Sequence, residues 1–341
     1  MQDEPLLAAK TGFTMSDQDS NPHANSVFQQ RAIAKLERDL GAELVAALRD
    51  PKTTEIDLNP DGKVFVKRQG EADKHLCNLS AAKAEAVVKT IAGFHGKEVT
   101  SAHPYLDGEL PELMGGGRFA GQLPPIVKQA TFVIRKPPSR IFTLAEYVQN
   151  NSLSEIHKAA ICEAITERKN ILVIGSTESG KTTLVNAIIH EMVELSLPNE
   201  RFIIIEDTGE IQCSASNFVQ YHTTVDVSMT HLLKITLRMT PKRIVVGEVR
   251  GAEALDLLDA WNTGHPGGVA TLHADSAAKG LTRLKSLVSR NEAKPSEIEP
   301  LIGEAVHLIV FIAKTPEGRR VVQEVLEVSG YVGGQFVTRN L

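Results

Sequence analysis

Residues 170–186 read Asn170-Ile171-Leu172-Val173-Ile174-Gly175-Ser176-Thr177-Glu178-Ser179-Gly180-Lys181-Thr182-Thr183-Leu184-Val185-Asn186, and this stretch decides the fold. Ile171 to Ile174 form a branched, apolar run, the pattern of a strand buried on both faces of a parallel sheet. Gly175 to Thr182 match G-x-x-x-x-G-K-[ST], a phosphate-binding loop. Beyond it, Leu184, Ala187, Ile188 and Met192 recur at helical spacing. Strand, glycine loop and helix in that order are the context that confirms the motif.

Each part of the loop has a task. Gly175 and Gly180 permit backbone angles and a close approach that a Cβ would block. Loop N–H groups and the helix N-terminus face the β-phosphate of a nucleotide. Lys181 brings a point charge to the β- and γ-phosphates, and Thr182 offers its hydroxyl to Mg²⁺. Gly175, Ser176, Thr177, Glu178, Ser179, Gly180, Lys181, Thr182 and Thr183 are therefore the expected nucleotide-binding residues, with ATP and Mg²⁺ as ligands.

A chain of 341 residues is long for one core and points to two domains. Its 42% hydrophobic and 23% charged residues are ordinary for a globular protein. The net charge of −5 argues against wholesale coating of nucleic acid, so direct nucleic-acid binding is not expected. Cys77, Cys162 and Cys213 are scattered without metal spacing and read as reduced thiols of a cytoplasmic protein. No apolar run is long enough to span a membrane, and Met1 to Pro5 carry no secretory pattern.

Residues 1–24 are polar and read as a mobile tail. A smaller α+β domain follows over 25–136. Phe28, Ala32, Leu36, Leu40, Leu44 and Leu48 mark one helical face, with Gly41 as a break. Asn59-Pro60-Asp61-Gly62 turns a hairpin between strands at 55–58 and 63–67, and Ser80 caps a helix that stops at Gly96. Further strands are expected at 118–123 and 131–135. Pro137-Pro138-Ser139 opens a linker, 137–153, since paired prolines continue neither a helix nor a central strand. The second domain, 154–341, alternates helices with buried strands and closes as a β-meander with glycine turns at Gly318 and Gly333-Gly334.

Two strands deliver carboxylates. Phe202-Ile203-Ile204-Ile205 ends in Glu206-Asp207, and Ile244-Val245-Val246 ends in Gly247-Glu248. Parallel strands beside a phosphate loop put their C-terminal tips at one crevice, where a carboxylate can hold Mg²⁺ or orient water. Glu210 reads equally as a solvated loop charge. Gly264-His265-Pro266-Gly267-Gly268 leads into a short strand that ends at His273, which places that imidazole near the γ-phosphate.

These motifs together resemble the secretion ATPase superfamily. Glu206-Asp207-Thr208-Gly209-Glu210-Ile211 is similar to its Asp box, Arg238 to Gly251 to its Walker B segment, and Gly264 to Asp275 to its His box. With the Walker A loop, four motifs stand in the family's order. Asn59-Pro60-Asp61-Gly62 and Gly117-Arg118-Phe119 extend the likeness into the first domain. The type IV secretion traffic ATPases are the most similar branch. Lys242 departs from the Asp that often precedes the Walker B strand.

The resemblance implies a RecA-like domain with a central, mostly parallel sheet behind the smaller α+β domain. It implies a homohexameric ring with ATP between the two domains, and arginines of the first domain reaching the γ-phosphate. Arg118 and Arg135 match those positions, with Arg140 weaker. Lys181, Glu206, Glu248, His273, Arg118 and Arg135 form the implied catalytic set. Thr182, Glu206 and Glu248 form the implied metal set, with the order of the two glutamates open. Implied partners are inner-membrane secretion or conjugation proteins, with peripheral contact at the inner face of that membrane. A pilus retraction motor, a type II secretion motor and a DNA-translocating ATPase stay open as other tasks for such an engine.

Overall fold

The structure is a computed structural model, and it describes residues 22–341 except Gly70, Ser139 and Val225. The tail expected over 1–24 therefore lies outside the described residues as far as Asn21, as do Ser139 of the expected linker and the Phe28 side chain. The helical face at the start divides where Gly41 takes a φ of 84°, giving α1 (Pro22–Leu40) and α2 (Ala42–Arg49). Next come β1 (Thr53–Leu58), β2 (Lys63–Arg68), β3 (Lys74–Asn78), α3 (Ala81–Phe94), β4 (Tyr105–Glu109), β5 (Arg118–Gln122) and β6 (Thr131–Arg135). The strands pair in the order β3-β2-β1-β6-β5-β4, every pair antiparallel. β3 and β4 were not expected from sequence. They are edge strands in which Leu106 alone is buried and the apolar residues stand side by side rather than alternating, which leaves a weak signal.

Strand alternation gives this sheet two unlike faces. Ile56, Leu58, Val64, Val66, Phe119, Phe132 and Ile134 are buried in one core with Leu36, Leu44, Val87, Val88 and Ile91 of the helices. Glu55, Asp57, Lys67, Arg118 and Arg135 fall on the opposite phase. This charged face carries the residues that meet the rest of the chain.

The remainder runs α4 (Leu144–Gln149), α5 (Glu155–Thr166), β7 (Ile171–Ile174), α6 (Lys181–Leu195), β8 (Phe202–Glu206), β9 (Phe218–His222), α7 (Met229–Thr236), β10 (Arg243–Val246), α8 (Glu253–Asn262), β11 (Val269–Leu272), α9 (Ala277–Val288), α10 (Ile298–Ala305), β12 (Leu308–Lys314), β13 (Arg320–Val332) and β14 (Gln335–Asn340). Its sheet order is β14-β13-β12-β7-β11-β10-β8-β9. From β12 to β9 every neighbour is parallel, and only β13 and β14 return antiparallel. The terminal meander is thus an extension of the main sheet, with β12 hydrogen-bonded to the phosphate-loop strand β7. Every side chain of β7, β8, β10 and β11 is buried. Two apolar layers cover the faces, one around α7, α8, α9 and α10, the other around α4, α5 and α6. The expected α/β fold, a RecA-like parallel sheet behind a smaller α+β part, is therefore the one observed.

Asn170 ties the lower ends of three of these strands. It is 1% exposed. Its Oδ1 accepts from Gly267 N at 2.8 Å and Gly268 N at 3.1 Å, and its Nδ2 donates to Ala305 O at 2.7 Å. Fixing the starts of β7, β11 and β12 at that end fixes their tips at the other.

Candidate nucleotide site

The tips of β7, β11, β10 and β8 lie side by side because the strands are parallel and adjacent. Beyond β7 the chain turns so tightly that a Cβ on Gly175 would sit 2.3 Å from Ile312 O and 2.5 Å from Ser179 Oγ. Gly180 has a φ of 95°, and a Cβ there would meet Arg320 Cδ at 2.8 Å. Gly175 is thus required by space, since the obstacle is backbone, and Gly180 by its backbone angle. α6 starts at Lys181, so its first N–H groups lack intrahelical acceptors and point into the turn. Donors with no helical acceptor at a helix start are the chemistry that phosphate oxygens satisfy.

Lys181 is buried at the centre. Its Nζ donates to Gly175 O at 3.0 Å and Ser176 O at 2.9 Å, and lies 3.2 Å from His273 Nδ1. Burial pulls its pKa below the usual lysine value, against the opposing charge of Glu248. The other ring nitrogen of His273, Nε2, lies 2.7 Å from Glu248 Oε1. Lys181, His273 and Glu248 thus form a continuous chain from the tips of β7, β11 and β10.

Glu248 is held on its other oxygen by Arg250, whose Nη2 donates to Oε2 at 2.7 Å. Oε1 is buried, and among the described residues no donor is aligned on it, although His273 Nε2 lies 2.7 Å away. Burial pushes the Glu248 carboxyl up. Arg250, His273 and Lys181 together outweigh it and keep the pKa below the ordinary glutamate value. Arg250 also donates from Nη1 to Asp207 Oδ2 at 2.9 Å, so one guanidinium bridges the Walker B glutamate and the Asp-box aspartate. Sequence reasoning assigned Arg250 no role. Its place two residues after Glu248, in the same strand-exit loop, is the signal that could have singled it out.

The Asp-box loop divides its carboxylates differently from the expectation. Glu206, 3% exposed, turns into its own loop: Oε2 accepts from Glu210 N at 2.9 Å and Ile211 N at 3.0 Å, and the Gln220 amide donates to Oε1. Gly247 lets it pack there, since a Cβ at 247 would be 2.8 Å from Glu206 Cβ. Glu206 also lies three strands from the phosphate loop, across β10 and β11. Glu210 is the loop carboxylate that reaches the phosphate-binding helix: Thr182 Oγ1 donates to its Oε2 at 3.3 Å. Of the two readings of Glu210 left open by the sequence, that contact favours a place at the site, and Asn186 Nδ2 fixes the backbone there by donating to the Glu210 carbonyl at 3.2 Å.

Arg118 and Arg135 are direct cross-strand partners on β5 and β6. Two like charges side by side are unfavourable unless an anion meets them. Here Arg118 lies 3.4 Å from Asp107 and Arg135 3.5 Å from Glu55. Both line a cleft with Gly116 and Gly117, closed on the far side by Thr208, Gly209 and Glu210. Glu109 Oε1 accepts from Gly209 N across the cleft at 3.3 Å. Arg140 is engaged elsewhere, with Glu146 at 3.1 Å and the Phe142 ring.

Magnesium in nucleotide sites is held by one or two carboxylates and completes its shell with phosphate oxygens, water and, in phosphate loops, a Ser or Thr hydroxyl. The Thr182 hydroxyl, Glu248 Oε1 and the Glu210 carboxylate fit that demand.

Strand, glycine turn and helix, with carboxylates and a histidine at neighbouring parallel strand tips, define a P-loop protein of the RecA-like type. The chain belongs to the type II/IV secretion system protein family, whose model matches residues 118–327. It is 47% identical to the probable conjugal transfer protein TrbB of Sinorhizobium fredii, over 90% of this chain and 92% of that protein. It is 46% identical to the conjugal transfer protein TrbB of Rhizobium radiobacter, over 91% of this chain and 94% of that one. The fold is shared with the ATPase DotB of Legionella pneumophila, at a TM-score of 0.59 and 23% identity over 86% of this chain and 79% of that one. The resemblance carried by the four motifs is thereby borne out. Among the described residues no helix is long and apolar enough to cross a membrane.

Proposed function

We propose that this chain is a Mg²⁺-dependent ATPase that works as a homohexameric ring and powers type IV secretion of the conjugative kind. The observation that carries this is the convergence of Lys181, Thr182, His273, Glu248 and Glu210 at the tips of parallel strands around one glycine turn. Similarity at 46–47% identity to conjugal transfer proteins supports conjugation over pilus retraction or type II secretion.

In this reading residues 175–183 cradle the triphosphate and Lys181 leaves its carbonyl partners for the β- and γ-phosphates. Thr182, Glu248 and Glu210 would hold the metal and its water. Magnesium, when bound, neutralises charge developing on the phosphate oxygens. His273 stands between Lys181 and Glu248, 3.2 Å from one and 2.7 Å from the other, and so ties the phosphate loop to the tip of β10. Glu206 orders the loop that presents Glu210, a positioning role in place of the metal-binding one first expected. Arg118 and Arg135 face the cleft as the guanidinium pair that meets the γ-phosphate when the domain of residues 25–136 closes on the second domain about a hinge at 137–139, since α4 onward is packed into the second domain's core. A cytoplasmic position against inner-membrane secretion proteins follows from that role.

The test is ATP turnover by the purified chain, with native mass measured alongside. A hexamer whose hydrolysis is lost on Lys181→Ala is expected. Hydrolysis that survives Lys181→Ala overturns the site.

A further inference from the structure

The phosphate loop contains one acidic residue, Glu178, and it sits where a side chain is disfavoured. Its φ is 60°, in the left-handed region that suits glycine. What the side chain does there is leave its own domain. Glu178 Oε1 accepts from Lys67 Nζ at 2.7 Å, and Lys67 belongs to β2 on the charged face of the first sheet. The Glu178 carbonyl is held as well, accepting from Arg320 Nε at 3.1 Å at the start of β13. Lys314 and Arg135 add to the positive field around this carboxylate. The pair reinforces itself: Lys67 holds the Glu178 carboxyl below its ordinary range, and Glu178 raises the Lys67 ammonium above its own.

We propose that Glu178 is a positioning residue that latches the phosphate loop to the first sheet through Lys67, so that release of nucleotide requires this ion pair to part. The inference rests on the nucleotide site proposed above. Two consequences follow from the chemistry. A nucleotide enclosed between loop and sheet leaves faster when the strap across its exit is cut. A carboxylate stripped of its lysine also repels the phosphates beside it, which acts in the same direction.

The experiment is a double-mutant cycle on the full chain, read by the release rate of fluorescent N-methylanthraniloyl-ADP. Lys67→Met should speed release by about two- to fivefold, the range of a partly exposed ion pair. In a Glu178→Gly background the same change should alter release by at most about 1.3-fold, because the partner is gone. Glu178→Gln is a second background that keeps a side chain of the same length, and it should give the same null effect. The difference between backgrounds should shrink as salt is raised, and the melting temperature of Lys67→Met should match the parent, which separates a latch from a general loss of structure. Equal effects of Lys67→Met in all backgrounds, or none in the parent, overturn the latch while leaving the nucleotide site intact. Failure of the parent chain to bind the probe overturns the site and the latch with it.

Discussion

Removing the Glu206 carboxylate should unfold the loop that presents Glu210, and the cost can be worked from its contacts. Glu206 Oε2 accepts two backbone N–H groups, from Glu210 and Ile211, at 2.9 and 3.0 Å in a part of the chain almost closed to water. Glu206→Ala leaves both donors unpaired. A buried donor without a partner costs about 1–3 kcal/mol, so the two together cost about 4 kcal/mol. For a domain of this size that lowers Tm by about 8–16 °C. Glu210 behaves oppositely. Among the described residues its carboxylate takes a hydrogen bond only from the Thr182 hydroxyl, so Glu210→Gln should leave stability within about 0.5 kcal/mol while turnover falls about a hundredfold or more. The assay is thermal unfolding of each variant beside phosphate release at saturating ATP. Glu206→Ala with an unchanged Tm, or Glu210→Gln with normal turnover while folded Glu206→Gln is dead, would refute the division of roles.

Asn170→Ala leaves two N–H groups and one carbonyl at the strand starts without their partner, and should cost about 3 kcal/mol or more by denaturant unfolding. The buried Glu200 should shape the acid limb of stability. Burial raises its pKa, but Ser196, Arg168 and Arg243 bring it down to about 2. A carboxyl whose folded pKa is depressed stabilises above its unfolded value of about 4.3, and that stability drains away as pH falls through about 2. Stability of the parent should therefore drop by about 2–3 kcal/mol over that window, and Glu200→Gln should flatten it. Asp57 has the opposite sign. Burial, with Glu55 and Asp73 nearby, raises it to about 6, and its buried Oδ1 has no hydrogen-bond partner among the described residues. That contribution is full below the unfolded pKa and lost as pH rises through 6. Asp57→Asn should accordingly stabilise the chain by about 1 kcal/mol at pH 8, after discounting for solvent screening, and make no difference at pH 3.

The parts of this fold that were legible in the sequence are those where one physical demand leaves few residue choices. Ile171–Ile174, Phe202–Ile205 and Ile244–Val246 read as buried parallel strands because burial on both faces allows nothing polar. Gly175 and Gly180 read as a phosphate loop because no Cβ fits. Ser80 as a cap and Gly41 as a break follow from local chemistry in the same way. What was hidden depends on contacts remote in sequence. Glu206 and Glu210 are both acids after one strand, and only the loop's return onto itself shows that the first is spent on backbone donors and the second meets Thr182. Asn170 and Lys67 carry nothing in their sequence neighbourhoods that reveals the partners they find 97 and 111 residues away, and Arg250 shows its tie to Glu248 but not the one to Asp207, 43 residues away. The edge strands β3, β4 and β9 escaped because half-exposed edges tolerate almost any residue.

The central claim is that carboxylates from neighbouring strand tips share a metal with a triphosphate in the 175–182 loop. Electron paramagnetic resonance of Mn²⁺ with the purified chain and a slowly hydrolysed ATP analogue tests it directly. One nucleotide-dependent Mn²⁺ site per chain is expected, abolished in Lys181→Ala and weakened about tenfold or more when Thr182 or Glu248 loses its oxygen. Manganese that binds equally well without nucleotide, or in Lys181→Ala, would contradict the account.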